Sequence, residues 1–387
     1  MRTFAGNRCR RFLVVGIGVL LLVSPVLGVE NQQSQQPHEI HAFCIDFNWG
    51  PGGPNGFAKP GLWADADPQS HVDWYAALGA NVIQTFAVSC NGYAWYYSDV
   101  VPPQPGLKHD FLTAVVRLGH HRGMLVMGYF CVGANTLWGQ KHPDQSYGTP
   151  AHTHIPFTNQ YIDYLCASVT DALKKTNMDG FMLDWFFNGP YRPADARLKW
   201  LPCERKMWSE LMQTPFPGME KITVSQETEF KQRAVDRCWR RLRTAAKAAK
   251  PNCIIWLSCH DLNHPQIANS KLLKQVDWLM NEAGDLETLE HARHTTGTHA
   301  RLITCVVGWG DRHNAVKTAP AAQARGIGIY GFSRPRANSL PLPVTTYLAK
   351  PISAFRGNDR NIAALARFYN GMPFSTVQKN AATKSHE

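Results

Sequence analysis

Two carboxylates in the sequence stand where they could do chemistry together. Asp184 follows the apolar run 181–183, and Glu282 follows the run 278–281. Burying a carboxylate costs free energy unless it has a partner or a task. Two carboxylates in different surroundings, aimed at one cavity, supply the nucleophile or base and the protonated acid that glycosidic bond cleavage needs. The sequence therefore predicts Asp184 as nucleophile and Glu282 as general acid/base.

Three other interpretations of these residues stay open. Asp184 could serve structure alone, by pairing with Arg334 or by capping a loop. Asp46, His260 and Asp184 could form the site of a metal-dependent hydrolase, although no histidine stands in a metal-ligand pattern beside the carboxylates. Finally, the chain could be a barrel that binds carbohydrate without a productive carboxylate pair.

Polar and aromatic side chains cluster in the sequence just past the predicted strands, where substrate would bind. Tryptophan rings stack on the apolar face of a sugar ring, and Asp46 is expected either to accept hydrogen bonds from two sugar hydroxyls or to cap the next loop. No Gly-x-Ser-x-Gly motif is present, so a serine hydrolase is not indicated. The predicted substrate-binding residues are Asp46, Trp49, Asn91, Trp95, Tyr129, Trp185, His260, Asn281, Trp309 and Arg334.

Eight short apolar runs alternate with longer amphipathic stretches. Runs this apolar are typical of strands covered on both faces, and eight strand–helix units predict a closed (β/α)8 TIM barrel. A doubly wound open sheet is the competing fold, but no Gly-rich phosphate motif follows the first strand. The predicted strands are 41–47, 81–87, 124–131, 180–185, 253–257, 278–281, 302–307 and 327–332. The predicted helices include 67–78, 110–122, 267–275, 285–294, 314–325 and 361–369.

The barrel is predicted to form one catalytic domain over residues 41–370. Its longest interruption, about 187–224, is rich in Pro and Trp and is interpreted as an insertion near the active face. Residues 29–40 and 371–387 are polar and are expected to be tails.

The first 28 residues have the pattern of a secretory signal peptide. Arg8, Arg10 and Arg11 precede an apolar run over 12–23, and small residues follow near Gly28. We expect a secreted or periplasmic protein, with an uncleaved membrane anchor as the alternative. No later run is long enough to predict an integral membrane segment.

Composition excludes several classes of protein. With 44% hydrophobic and 18% charged residues, the 387-residue chain can bury a large core and is not disordered. Without the signal arginines, 36 Lys and Arg stand against 29 Asp and Glu, a moderate excess that comes with no nucleic-acid-binding motif. The expected partner is a carbohydrate, without nucleic acid or cofactor; the oligomeric state is not predicted. The cysteines within apolar runs are expected to act as small hydrophobes.

The chain resembles glycoside hydrolase barrels, in particular the group that includes α-L-fucosidases and α-galactosidases. Residues 179–185, Asp-Gly-Phe-Met-Leu-Asp-Trp, are similar to the strand-four segment that bears the nucleophilic Asp in that group, and Glu282 would correspond to its acid/base. Residues 73–82 and 119–124 are also similar to the segments before strands two and three of these barrels. The resemblance covers most of 41–335 and implies hydrolysis of O-glycosyl bonds. It departs from the fucosidase pattern in lacking the His-rich substrate clamp and a C-terminal β-sandwich, so it does not identify the sugar.

Overall fold

A computed structural model describes residues 37–50, 56–148, 153–189, 200–268, 270–308, 312–336 and 338–374. These residues form one compact unit. The predicted signal peptide lies outside them, as does most of the predicted C-terminal tail, so both stay predictions. Within this described part, no helix has both the length and the apolar character needed to cross a membrane.

Eight parallel strands close into a barrel in the order β1 to β8, with β8 hydrogen-bonded back to β1. The predicted (β/α)8 fold is confirmed, and the open doubly wound sheet is excluded. The predicted strand ends lie within two residues of those observed. The strands are β1 His41–Ile45, β2 Val82–Val88, β3 Leu125–Cys131, β4 Gly180–Asp184, β5 Ile254–Cys259, β6 Trp278–Asn281, β7 Arg301–Val307 and β8 Gly328–Ser333.

Helices cover the outside of the barrel. They are α1 Pro68–Leu78, α2 Phe111–His121, α3 Thr136–Lys141, α4 Asn159–Thr176, α5 Pro202–Met212, α6 Val224–Ala249, α7 Pro265–Ala268, α8 Leu286–Thr296, α9 Ala315–Gln323, α10 Val344–Ala349 and α11 Gly357–Tyr369. The single helix predicted over 267–275 is wrong. Its place is taken by the four-residue α7 and a 3-10 turn, Lys271–Lys274, because the Ser270 side chain caps the turn at Leu272 and donates to Asp236.

Large rings fill the barrel beneath its mouth. The centroids of Trp256 and Trp278 are 5.5 Å apart, and those of Trp256 and Tyr330 are 5.4 Å apart. The Tyr330 hydroxyl donates to Gln84 Oε1 at 2.8 Å, so its buried polar end is satisfied. Trp256, Trp278 and Tyr330 therefore form a packed floor that keeps any reacting groups at the carboxyl ends of the strands.

The segment after β4 adds a small second core to the outside of the barrel. Trp200, Trp208 and Phe230 pack together, with the Trp208 and Phe230 rings stacked at 5.6 Å. This core joins α5 to the first half of α6. The nine cysteines of the described residues are all free thiols, and those within or beside strands are buried, as expected for small hydrophobes.

Candidate active site

β4 places Asp184 at the barrel mouth. Side chains alternate along a strand, so Asp184 has the same orientation as Met182 and the opposite one to Leu183. The next residue, Trp185, has φ +55, a backbone conformation that is uncommon for a bulky side chain. Strain of this kind persists only where the surroundings impose it and is frequent at functional sites. The turn lets the Trp185 amide donate to Asp184 Oδ1 at 2.8 Å.

Two hydrogen-bond donors converge on Asp184. The Trp185 amide donates to Oδ1 and the Tyr129 hydroxyl donates to Oδ2 at 2.7 Å. Burial, followed by repulsion from Glu282, raises the pKa of Asp184, whereas these donors lower it. A hydrogen bond to a charged group contributes about 1.5–3 kcal/mol, but the pKa of Asp184 remains raised to about 7, so the donors offset only part of the cost of ionising it.

Glu282 lies directly after β6 and is held beside β5. Its amide donates to the Cys259 carbonyl at 3.1 Å, and the Ser258 hydroxyl donates to its Oε1. Burial is the main cause of its raised pKa, and repulsion from Asp46 adds to it. Ser258 thus bonds to Glu282 and lies close enough to Asp184 to affect its pKa, as Glu282 does, so the two predicted catalytic carboxylates are near each other.

Asp46 is the third carboxylate of the cluster. Burial raises its pKa to about 7, and repulsion from Asp184 contributes. The Asn48 amide, which donates to Oδ1 at 2.9 Å, and the positive charge of Arg334 oppose the shift. Asp46 therefore caps the loop after β1, as one of its two predicted interpretations expects, and binding of sugar hydroxyls stays a prediction.

Aromatic rings line one side of the mouth next to Asp184. The Phe57 and Trp185 centroids are 5.6 Å apart, and Trp185 lies 5.5 Å from His154 and 6.0 Å from Phe187. Trp49 continues the row at 5.5 Å from Phe57. We call these five residues the aromatic wall. Phe57, Trp185 and Phe187 are partly exposed, so their rings can offer a face to a sugar.

Several predicted substrate-binding residues lie elsewhere. Trp95 is 1% exposed and stacks on Phe47 at 4.3 Å, so it belongs to the core. Asn91 is buried and exchanges hydrogen bonds with Gln104, and Asn281 is buried and accepts from the Ala283 amide, so both hold loops in place. His260 is exposed. Trp309 lies outside the described residues.

The sequence interpretation gives no role to Ser258, Phe57, His154 or Phe187. Strand five is predicted to end at residue 257, whereas β5 continues to Cys259, and that extension gives Ser258 the inward orientation of Trp256. The signal is therefore present in the alternation of the strand. His154 is held at the mouth by an isolated β-bridge between Ala134 and His154. No periodic pattern in the sequence predicts this bridge.

The metal hypothesis requires ligands that converge. Among the described residues, no three His, Cys, Asp or Glu side chains are grouped to hold a metal ion. The carboxylate cluster of Asp46, Asp184 and Glu282 is instead surrounded by hydroxyl, amide and guanidinium donors.

Part of the chain matches a known family of proteins. Residues 67–185 match the model of a family described as hypothetical glycosyl hydrolase 6. The match runs from the start of α1 to the residue after Asp184. The chain is thus similar to this glycosyl hydrolase family from α1 to the end of β4. No curated protein matches it in sequence.

Solved structures share the barrel. Alpha-L-fucosidase isoenzyme 2 from Paenibacillus thiaminolyticus superposes with a TM-score of 0.61 and 15% sequence identity, over 86% of this chain and 49% of the fucosidase. An alpha-L-fucosidase from Bacteroides thetaiotaomicron gives a TM-score of 0.49 at 12% identity, over 86% of this chain and 72% of that one. This chain therefore spans about half the length of the Paenibacillus enzyme. The predicted resemblance to glycoside hydrolase barrels is confirmed, and glycoside hydrolase is the functional class that the family match supports.

Proposed function

We propose that this protein is a secreted glycoside hydrolase that cleaves an oligo- or polysaccharide with Asp184 as nucleophile and Glu282 as general acid/base. One observation carries the proposal. Glu282, held by Ser258, is close enough to Asp184 to raise the pKa of Asp184, and both carboxylates lie at the barrel mouth beside the aromatic wall.

We assign the two roles from the resemblance of residues 179–185 to the nucleophile segment of fucosidase-like barrels and from the hydrogen bonds that hold Asp184. Asp184 accepts from the Tyr129 hydroxyl and from the Trp185 amide, which hold its carboxylate in place for attack, although burial and repulsion from Glu282 raise its pKa to about 7. Burial and repulsion from Asp46 raise the pKa of Glu282 as well, so the two carboxylates compete for one proton, and we assign that proton to Glu282 in the reactive state. An ionised nucleophile beside a protonated acid is the division of labour that glycosidic cleavage requires.

The reaction follows from these protonation states. The Asp184 carboxylate attacks the anomeric carbon, the bond to the leaving oxygen breaks, and the Glu282 proton passes to that oxygen. Glu282, now ionised, takes a proton from water, whose oxygen displaces Asp184 from the anomeric carbon and releases the sugar. Asp46 and Arg334 bind sugar hydroxyls, and the aromatic wall stacks on a ring of the bound saccharide.

The experiment is a panel of aryl glycosides, α-L-fucosides and α-galactosides included, tested on wild type, Asp184→Asn and Glu282→Gln. These isosteric changes keep the fold but remove the nucleophile or the acid. We expect wild type to hydrolyse at least one glycoside, and Asp184→Asn to lose at least about 10³-fold in kcat, in the range found for members of catalytic units. Glu282→Gln should lose least with the best leaving groups, which need no proton.

Two results would contradict the proposal. If Asp184→Asn kept wild-type turnover, Asp184 would not be the nucleophile. If wild type bound saccharides without releasing product from any glycoside, and Asp184→Asn left that binding unchanged, the chain would be a carbohydrate-binding barrel. Loss of activity on adding a chelator would point to the metal-dependent alternative.

Export is part of the proposal and rests on the basic, apolar and small-residue order of the first 28 residues. The test is N-terminal sequencing of the protein recovered outside the cytoplasm, which should begin near residue 29. Retention of residues 1–28 in the membrane fraction would support the uncleaved anchor instead.

A further inference from the structure

Behind the aromatic wall lies a buried polar network whose centre is Asn188. This residue is 1% exposed, and all four of its hydrogen-bonding groups are used. Its Oδ1 accepts from the Phe157 amide at 2.7 Å, and its Nδ2 donates to Glu204 Oε1 at 3.4 Å. Its backbone amide donates to Gln266 Oε1 at 2.8 Å, and its carbonyl accepts from Gln266 Nε2 at 3.3 Å. Asn188 thus joins three separate segments of the chain.

Glu204 is the acidic member of this network. It is 3% exposed and accepts from the Tyr147 hydroxyl, from the Leu201 amide at 3.1 Å and from Asn188. All three partners are donors, so the site is built for a side chain that only accepts. Burial raises the pKa of Glu204, and these donors oppose the rise. A buried carboxylate with three fitted donors is a costly arrangement that ordinary helix capping at Leu201 does not require.

The network controls the segment that carries two rings of the wall. Trp185 and Phe187 lie between Asp184, fixed by β4, and Asn188, fixed by the network. The start of this segment packs tightly against Gly133, just after β3, because a Cβ added to Gly133 would come within 2.2 Å of the Trp185 carbonyl oxygen. Within the segment, the Phe187 amide donates to the Trp185 carbonyl at 2.9 Å. The direction of both rings is therefore set by the two ends of this short span.

We propose that Asn188 and Glu204 are positioning residues that hold Trp185 and Phe187 at the barrel mouth, and that the α5 insertion exists in part to supply Glu204. This inference rests on the proposed function for its consequence in substrate binding. Neither residue contacts the carboxylate cluster, so their effect reaches the substrate through the aromatic wall. Extended saccharides, which contact the wall beyond the reacting sugar, should depend on them more than small aryl glycosides do.

The test exploits the chemistry of the Asn188–Glu204 pair. Asn188→Asp has the same shape and keeps the acceptor for the Phe157 amide, but it turns an oxygen toward the Glu204 carboxylate in place of the donor. Combining Asn188→Asp with Glu204→Gln reverses the pair. The new side-chain amide at position 204 then donates to the new carboxylate at position 188, while its oxygen still accepts from Leu201 and Tyr147. Asn263→Asp, at an exposed position near α7, is the control for one added negative charge.

Two measurements are made on each variant. In hydrogen–deuterium exchange, amides of residues 187–189 should exchange at least tenfold faster in Asn188→Asp and return to within threefold of wild type in the double variant, while the Trp185 amide, bonded to Asp184, stays protected. With an oligosaccharide that wild type cleaves, KM should rise at least tenfold in Asn188→Asp while kcat on the matching aryl glycoside changes less than threefold. The double variant should recover the KM.

Exchange needs no substrate, so it decides the positioning role even if wild type hydrolyses no glycoside. Unchanged exchange in Asn188→Asp, or a double variant as impaired as the single one, would overturn the proposal, as would an equal effect of Asn263→Asp. If Asn188→Asp fails to fold, Tyr147→Phe removes one donor from Glu204 without adding charge. It should speed exchange of the same amides at least threefold, and unchanged rates would count against the network.

Discussion

Asp46→Asn should be more stable than wild type at neutral pH. This advantage in the free energy of unfolding should shrink as the pH falls. Burial raises the pKa of Asp46 from 3.8 to about 7 in the folded state. Between these pH values the folded protein holds a proton on Asp46 that the unfolded chain has released. The folded state then binds more protons, so the free energy of unfolding falls as the pH rises across this interval.

The magnitude follows from the same difference. About three pH units at about 1.4 kcal/mol each give a ceiling of about 4 kcal/mol, fully developed above about pH 7 and absent below about pH 4. Asn keeps an oxygen that accepts from the Asn48 amide but loses the attraction to Arg334. We deduct about 2 kcal/mol for the lost attraction to Arg334. The free energy of unfolding of Asp46→Asn at pH 8 should then exceed that of wild type by about 2 kcal/mol.

The assay is urea unfolding followed by tryptophan fluorescence at pH 4, 6 and 8, for wild type and Asp46→Asn. Asp67→Asn is a matched control with the opposite sign. Ser70 lowers the pKa of Asp67 at the start of α1, so its carboxylate stabilises the fold above the unfolded pKa, and that contribution is lost as the pH falls. If Asp46→Asn is no more stable than wild type at pH 8, or if its advantage does not change between pH 4 and 8, the electrostatic reasoning about the cluster is wrong.

Three further predictions concern residues in or directly after β3, β4 and β6. Tyr129→Phe removes the 2.7 Å hydrogen bond to Asp184. The value of kcat/KM should therefore fall roughly 10–100-fold, and the acid limb of its pH profile should move to higher pH. An unchanged acid limb would mean that Tyr129 does not affect the protonation of the nucleophile. Activity should fall at high pH as Glu282, whose pKa burial raises, loses its proton, and Glu282→Gln should abolish that limb. Gly180→Ala should destabilise the barrel by more than about 3 kcal/mol in denaturant titrations, because its Cβ would lie 2.1 Å from the Ile254 carbonyl oxygen.

Most of the barrel can be predicted from the sequence because its strands are short, apolar and evenly spaced. Strand β6 has its predicted bounds, since the run 278–281 stands between polar neighbours. The same pattern predicts the position of the carboxylates at the ends of β4 and β6, because a charged side chain at the end of a buried strand is placed at the end of the barrel and not in its apolar interior. Alternation also explains why Met182 and Asp184 share an orientation.

The aromatic residues show where sequence reasoning ends. Trp95 and Trp185 both follow strands, yet Trp95 packs on Phe47 within the core, whereas Trp185 is partly exposed at the mouth. The difference comes from backbone direction: the loop after β2 folds back and pairs Val88 with Ala94, whereas the positive φ of Trp185 turns its segment along the rim. Such turns depend on contacts between distant segments, for instance Gly133 with Trp185, that no local pattern encodes.

The cost of the carboxylate cluster and its proposed use have one physical origin. Burial raises the pKa of Asp46, Asp184 and Glu282, and repulsion from a neighbouring carboxylate of the cluster raises each further. A sugar that passes through an oxocarbenium-like transition state carries positive charge into that same place. The repulsion that destabilises the empty site then becomes attraction to the transition state, which is the differential binding that lowers a barrier. Asp46→Asn should therefore gain stability and lose kcat together, and a variant that gained stability without losing kcat would break this link.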